Sequence, residues 1–185
     1  TNGKDPGSIT MIPLIESALG VRLTYEMALA SERVECVMFG GGEQGDLVAD
    51  LGVEWTPEGT GLMQARAQVL LSSRAAGVPY PMEAVFMDFR NPDGLRVECE
   101  LARTLGYVGK VAIHPSQIEV INDVFTPSPE VVEYQRKVLA AFEEAEAEGK
   151  ASIAVDGKMV DYAVARVARA ILARAEAAAR AGQEV

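Results

Sequence analysis

Four short apolar runs, at residues 9–15, 34–39, 84–87 and 111–113, each stop at a residue capable of chemistry, and each is followed by residues at helical spacing. The stops are Glu16, the turn Gly40-Gly41-Gly42-Glu43-Gln44-Gly45-Asp46, Asp88, and His114, the sole histidine of the sequence. Continuous apolar runs of this length suit strands buried on both faces of a parallel sheet rather than strands with one wet face. Parallel βα units place the strand ends and the loops after them on one face, which in a (β/α) barrel is the active-site face. The pattern therefore predicts an α/β fold in which three acidic positions and the histidine converge on one mouth.

Helical spacing fills the intervals. Leu19, Leu23, Met27 and Ala30 predict a helix over residues 18–30, and Leu62, Ala65, Val69 and Leu70 predict another that stops at Gly77-Val78-Pro79. After His114, Ser116-Gln117-Ile118-Glu119 reads as a capping box. Thr126-Pro127-Ser128-Pro129 breaks the chain, with Pro129 at a first helical position, and a helix runs to about Glu148. A short extended segment at residues 151–155 leads through Asp156-Gly157 to a last helix carrying Val164, Val167, Ala168, Ile171 and Leu172. Residues 1–128 thus read as the α/β part and residues 129–185 as a helical extension.

The strand count is too small for a closed barrel. A (β/α) barrel has eight strands and typically ~250 residues, whereas four strands fall here within about 125 residues. A four-stranded half-sheet has two open edges and a bare apolar inner face. The expectation is that the N-terminal half of the barrel lies outside these 185 residues.

Composition excludes several functions. Acidic residues outnumber basic ones 27 to 17, for a net charge of −10, and no Lys/Arg cluster interrupts that bias. This argues against a nucleic-acid groove or an anionic membrane surface. No apolar stretch reaches the ~20 residues needed to span a bilayer, and residues 1–7 lack the pattern of a signal peptide. Cys36 and Cys99 have no metal-type spacing and read as free thiols of a reducing compartment, so a cytoplasmic location is expected. The acidic run at residues 143–148 reads as a solvated helix face.

Each candidate residue has a structural alternative. Glu16 is a ligand or the cap of the following helix. Glu43 and Asp46 sit in a Gly-rich loop that either approaches a ligand or simply turns. Two strand-end carboxylates suit a hard divalent cation such as Mg²⁺, which takes one or two protein carboxylates and completes its shell with water and substrate oxygens. Asp88 precedes the turn sequence Arg90-Asn91-Pro92-Asp93-Gly94. His114, without a second histidine, serine or cysteine partner, is a catalytic group or a hydrogen-bonded structural one.

Several segments resemble, in order, the citrate lyase β-subunit-like branch of the HpcH/HpaI aldolase superfamily, which includes malyl-CoA and citramalyl-CoA lyases. They are Pro13-Leu14-Ile15-Glu16-Ser17-Ala18, Phe39-Gly40 with Asp46-Leu47 and Asp50-Leu51-Gly52, Gly106-Tyr107-Val108-Gly109-Lys110-Val111-Ala112-Ile113-His114-Pro115, and Asp156-Gly157-Lys158-Met159-Val160-Asp161. The resemblance implies a TIM barrel of which this chain carries the last four βα units, followed by a helical lid. It implies Mg²⁺ held by Glu16 and by an Asp after the next strand. Asp46 keeps the Asp-Leu-x-x-Asp-Leu-Gly context of that ligand and is preferred, while Glu43 keeps the simpler spacing from Phe39. Gly40, Gly41, Glu43, His114 and Pro115 are implied as substrate-binding positions.

The lid would bring Asp161 as acid or base, often to a neighbouring subunit's site, in a homo-oligomer (trimer or hexamer) with lid exchange. Asp161 also reads as the N-cap of the helix that starts at Tyr162. The activity implied is cleavage or formation of a C–C bond beside a CoA thioester, with an acyl-CoA and a 2-oxo acid as partners. Two alternatives stand beside it: a class II aldolase acting on free 2-oxo acids, and a non-catalytic half-barrel or scaffold subunit.

Overall fold

A computed structural model describes residues 3, 5 and 7–181 of the chain. Most of the N-terminal stretch read above for a signal peptide lies outside the described residues. The chain divides into two compact units, Thr1–Phe125 and Thr126–Val185.

The first unit is built on a parallel sheet. Strands β1 (Leu14–Ile15), β2 (Cys36–Phe39) and β3 (Tyr80–Glu83) lie side by side in that order. Ile15 pairs with Phe39, and Phe39 with Glu83, so the C-terminal ends of all three strands are level. Residues 108–111 add a fourth, short rung: the N–H groups of Val108 and Val111 donate to Pro81 and Glu83, and that of Glu83 donates to the Gly109 carbonyl. The connecting elements are α1 (Ala18–Arg22), α2 (Thr24–Leu29), α3 (Asp46–Leu51), a 3₁₀ turn (Thr60–Leu62), α4 (Met63–Ala75), α5 (Pro92–Leu105), a second 3₁₀ turn (Pro115–Gln117) and α6 (Ile118–Phe125).

One face of the sheet is packed and the other is partly open. Ile15, Val37 and Phe39 meet Leu47, Leu62, Ala65, Val69, Ala102 and Tyr107 in the main core. On the opposite face Leu14 and Tyr80 stay 46% and 57% exposed. This is the open inner face expected of part of a barrel.

Four expectations need correction. The third strand is Tyr80–Glu83, not residues 84–87. A proline and a glutamate disguise it: Pro81 is tolerated on the pairing with Val37, and Glu83 is buried against cations. The fourth strand segment lies at residues 108–111 rather than 111–113. The helix predicted over residues 18–30 is broken at Leu23, where the buried Thr24 hydroxyl bonds the carbonyls of Gly20 and Val21 and competes with the helical ladder. The capping box sits two residues earlier than predicted, with His114 as N-cap and Gln117 reaching back. Pro115, with φ already fixed, starts the turn there.

The second unit consists of α7 (Pro129–Ala147), the hairpin β4 (Ser152–Val155) and β5 (Lys158–Asp161), and α8 (Tyr162–Ala181). The hairpin turns on Asp156 and Gly157, both at positive φ as a type I′ turn requires. Asp156 is also held by Lys137 at 2.6 Å. Val138, Phe142, Val155, Val160, Ala165 and Ala168 form this unit's core. Val167, predicted at a core position, is 56% exposed, and Ala165 takes the buried place instead. Among the described residues no helix is long and apolar enough to cross a membrane.

Candidate active site

Glu16 follows β1 directly, and its carboxylate is not used as a cap. The N-cap of α1 is Ser17, whose hydroxyl accepts from the Gly20 N–H at 3.0 Å. The Ala18 N–H donates to Asp50 at 2.6 Å. With two of the orphan amides of this helix start satisfied by Asp50 and Ser17, Glu16 has no hydrogen-bond or ion-pair partner among the described residues. Its stem lies across Gly40, the first residue after β2, and a Cβ on Gly40 would overlap Glu16 Cγ and stand 2.9 Å from the Ile15 carbonyl oxygen. Gly40 also donates its N–H to that carbonyl at 3.0 Å.

The loop after β2 carries the other two carboxylates. At Gly41 a side chain would collide with the Phe39 ring, so the backbone runs flush on that ring. The turn closes with the Gly45 N–H on the Gly42 carbonyl and Gln44 at a φ of 59°. Glu43 is exposed on this turn and borders a recess of about 240 Å³ with Trp55, Phe86 and Asp88. Asp46 is exposed at the first position of α3, and the next residue, Leu47, anchors the helix in the core. Asp46 and Asp50 are one helical turn apart and so share a face. Because Asp50 reaches Ala18, that face of α3 is turned toward the strand end bearing Glu16.

Asp88 lies in the segment after β3, where its Oδ1 accepts from the Arg90 N–H at 3.2 Å, which gives it a turn-forming role. His114 is committed structurally too. Its Nδ1 accepts from the Ser116 N–H at 3.2 Å, and its ring stacks on Phe89 at 4.7 Å. Pro115 is the first residue of the short turn that follows. Among the described residues no group of three or more His, Cys, Asp or Glu side chains is placed to hold a metal ion.

In the second unit, Asp161 ends β5 and caps α8. Its Oδ1 accepts from the N–H groups of Ala163 and Val164 at 2.9 and 3.0 Å. Oδ2 has no partner among the described residues. Met159 and Tyr162 beside it are 69% and 55% exposed.

A buried charge cluster escaped the sequence reading. Arg66 of α4, Glu83 of β3, Glu98 of α5 and Lys110 are all 6% exposed or less. Arg66 Nε lies 3.2 Å from Glu83, and Lys110 Nζ lies 3.0 Å from Glu98. Burial pushes the Glu83 carboxyl up from its ordinary range, opposed by Lys110 and Arg66. The signal was present: Leu62, Ala65, Arg66 and Val69 have the spacing of a core-facing stripe, so a charge at position 66 has to be buried and paired.

Comparison with known proteins places the chain. Residues 2–115 match the HpcH/HpaI aldolase/citrate lyase family, and residues 66–179 match the C–C bond lyases of the TIM-barrel fold. Citrate lyase subunit beta of Escherichia coli is 37% identical over 94% of this chain, and (3S)-malyl-CoA thioesterase of Cereibacter sphaeroides is 39% identical over 90%. In each case the chain spans only 56% of the relative's length. Among solved structures, protein CitE from Mycobacterium tuberculosis in complex with magnesium, acetoacetate and coenzyme A superposes with a TM-score of 0.72 at 32% identity, covering 90% of this chain and 61% of that one. The level strand ends, the carboxylates beside them and these matches together establish that the chain belongs to the HpcH/HpaI aldolase/citrate lyase family and carries part of a TIM barrel.

Proposed function

We propose that the protein is a Mg²⁺-dependent carbon–carbon lyase acting on the CoA thioester of a hydroxy-dicarboxylic acid, with Glu16 and Asp46 as its metal ligands. The observation that carries this reading is that Glu16 has no capping or pairing duty among the described residues while Gly40 keeps the space over its stem clear. Two carboxylates on adjacent βα units, without an ion-pair partner among the described residues, fit Mg²⁺, which needs only one or two protein ligands beside waters and substrate oxygens. Asp46 is preferred to Glu43 because the Asp50–Ala18 bond turns its helix face toward Glu16, whereas Glu43 lies out on the turn. The magnesium in the complex of the Mycobacterium tuberculosis relative supports the choice of cation.

The bound cation would supply Lewis-acid stabilisation at the oxygen where negative charge develops. Glu16 and Asp46 would hold it, and the close backbone at Gly40 and Gly41 would let the 2-oxo-acid part approach. In the cleaving direction the substrate hydroxyl loses its proton to solvent, the C–C bond breaks, and its electron pair passes to the thioester-stabilised carbon. Asp161 Oδ2, left free by the cap, would deliver a proton to that carbon and release the acyl-CoA and a 2-oxo acid. In the condensing direction the same oxygen would remove it. The exposed Met159 and Tyr162 beside Asp161 suit a lid that closes on substrate, and we assign that lid to a neighbouring subunit of a cytoplasmic homo-oligomer.

The test is a product assay. With Mg²⁺, the full-length protein should convert malyl-CoA, citramalyl-CoA or citryl-CoA to an acyl-CoA and a 2-oxo acid, and EDTA should abolish the conversion. Cleavage of free 4-hydroxy-2-oxo acids with no turnover of any of these thioesters would replace this reading with that of a CoA-independent aldolase.

A further inference from the structure

The buried cluster around Arg66 lies directly beneath the loop that carries Glu43 and Asp46. Phe39 and Glu83 are the last residues of β2 and β3 and are paired in register, and the Arg66 guanidinium touches both. It lies 5.3 Å from the Phe39 ring centroid and 3.2 Å from Glu83. Tyr107, fully buried, completes the box: its ring is 6.4 Å from that of Phe39, and its hydroxyl donates to the Arg66 carbonyl at 2.8 Å. The Phe39 ring in turn fills the space where a side chain on Gly41 would stand. A contact path therefore runs from Arg66 through Phe39 to the backbone of the turn.

The cluster is costly for a fold that needs only burial. Two cations and two carboxylates sit in the helix–sheet layer, where an apolar set of similar volume would pack without desolvation cost. Arg66 Nη1 and Glu83 Oε2 are buried with no hydrogen-bond partner among the described residues. What the arginine provides that an apolar residue does not is a planar, charged surface stacked on the aromatic ring, with its orientation fixed by Glu83. A rigid ring under Gly41 leaves the turn one backbone path. Metal ligation from a loop requires that kind of support from the layer behind it.

We propose that Arg66 is a positioning residue for the strand-end loop of residues 40–46, acting through Phe39 to fix the backbone from which Asp46 reaches the metal. This rests on the Glu16–Asp46 metal reading, and the experiment separates the two. Arg66→Met combined with Glu83→Gln removes one charge of each sign and leaves Glu98 paired with Lys110. In the full-length protein two quantities are measured: Mn²⁺ affinity by electron paramagnetic resonance, and deuterium uptake of peptides spanning residues 39–47 against peptides from α7.

The expected result is an Mn²⁺ dissociation constant raised tenfold or more and uptake over residues 39–47 accelerated tenfold or more, with α7 unchanged. Affinity and uptake both within twofold of wild type would overturn the proposal, as would an acceleration spread equally over all peptides, which marks a purely structural cluster. Should the double variant fail to fold, Phe39→Leu, which keeps all four charges, is read by the same two criteria. If the wild type itself binds no Mn²⁺, the metal reading fails and local exchange alone decides the role of Arg66.

Discussion

Gly40 and Glu16 are in contact across the β1–β2 ladder: the Cα of Gly40 rests against the Glu16 side chain, with no room for a methyl group between them. Glycine is required at this position by proximity to a neighbouring carboxylate, not by a turn. Gly40→Ala should displace Glu16 and cost about 1–3 kcal/mol, the usual range for overpacking. Because the displaced group is a proposed ligand, metal affinity should fall at least tenfold while circular dichroism remains native. A Gly40→Ala protein that binds Mn²⁺ as wild type does would show that the contact has no part in ligation.

Asp50 supports the same end of the sheet from α3. Its bond to the Ala18 N–H satisfies an orphan amide of α1 and ties α3 to β1's helix. Asp50→Ala should lower stability by about 1 kcal/mol, the ordinary size of a lost N-terminal cap. Metal affinity should drop by a smaller factor than in Asp46→Asn. Urea unfolding and Mn²⁺ titration of the two variants check both statements, and equal losses of affinity would mean that Asp50 is itself a ligand.

Cys99 gives a pH signature. Burial pushes its thiol up to about 11, and the side chain is fully enclosed. A group whose folded pKa is raised contributes stability at pH values below its unfolded pKa and loses it as the pH climbs through the folded value. Stability should therefore fall between about pH 9 and 11 by an extra 2–3 kcal/mol or so, at about 1.4 kcal/mol per pH unit. Cys99→Ala should lack this component, so its unfolding free energy should fall less steeply than wild type over that interval. Parallel curves would place the thiol in water.

Asp161 has one oxygen that caps α8 and a second that we propose for proton transfer. Oδ1 caps α8, and Asn keeps much of that function, so Asp161→Asn should lose no more than about 1 kcal/mol. Proton transfer to and from the acyl-CoA carbon should slow by roughly a hundredfold or more. Deuterium exchange into acetyl-CoA or propionyl-CoA by the full-length variant is the readout. Exchange at the wild-type rate would leave Asp161 as a cap alone.

The parts of the molecule legible from the sequence are those that local chemistry dictates. The apolar runs at β1 and β2 locate two strands, and Ser128-Pro129 locates the start of α7 to the residue. The third strand is hidden because its Pro81 and Glu83 are explained only by partners distant in sequence, Val37 and Arg66. The break at Thr24 arises from a side chain bonding its own helix, which periodicity does not register. At the site, the residue types of Glu16, Glu43 and Asp46 could be read directly. The link between α3 and the helix start after Glu16 could not, because the Asp50–Ala18 bond that makes it spans 32 residues. His114 is open in the sequence to a catalytic or a structural role, and in the structure its Nδ1 accepts from the Ser116 N–H where a turn begins.

Glu16 and Asp46 are the metal ligands that we propose. Calorimetric titration of Mg²⁺ into the full-length wild type and into Glu16→Gln, Asp46→Asn and Glu43→Gln tests that assignment most directly. Affinity should fall by well over tenfold in the first two variants and change by less than about twofold in the third. Undiminished binding in Glu16→Gln, or a loss in Glu43→Gln that matches the one in Glu16→Gln while Asp46→Asn binds normally, would contradict it.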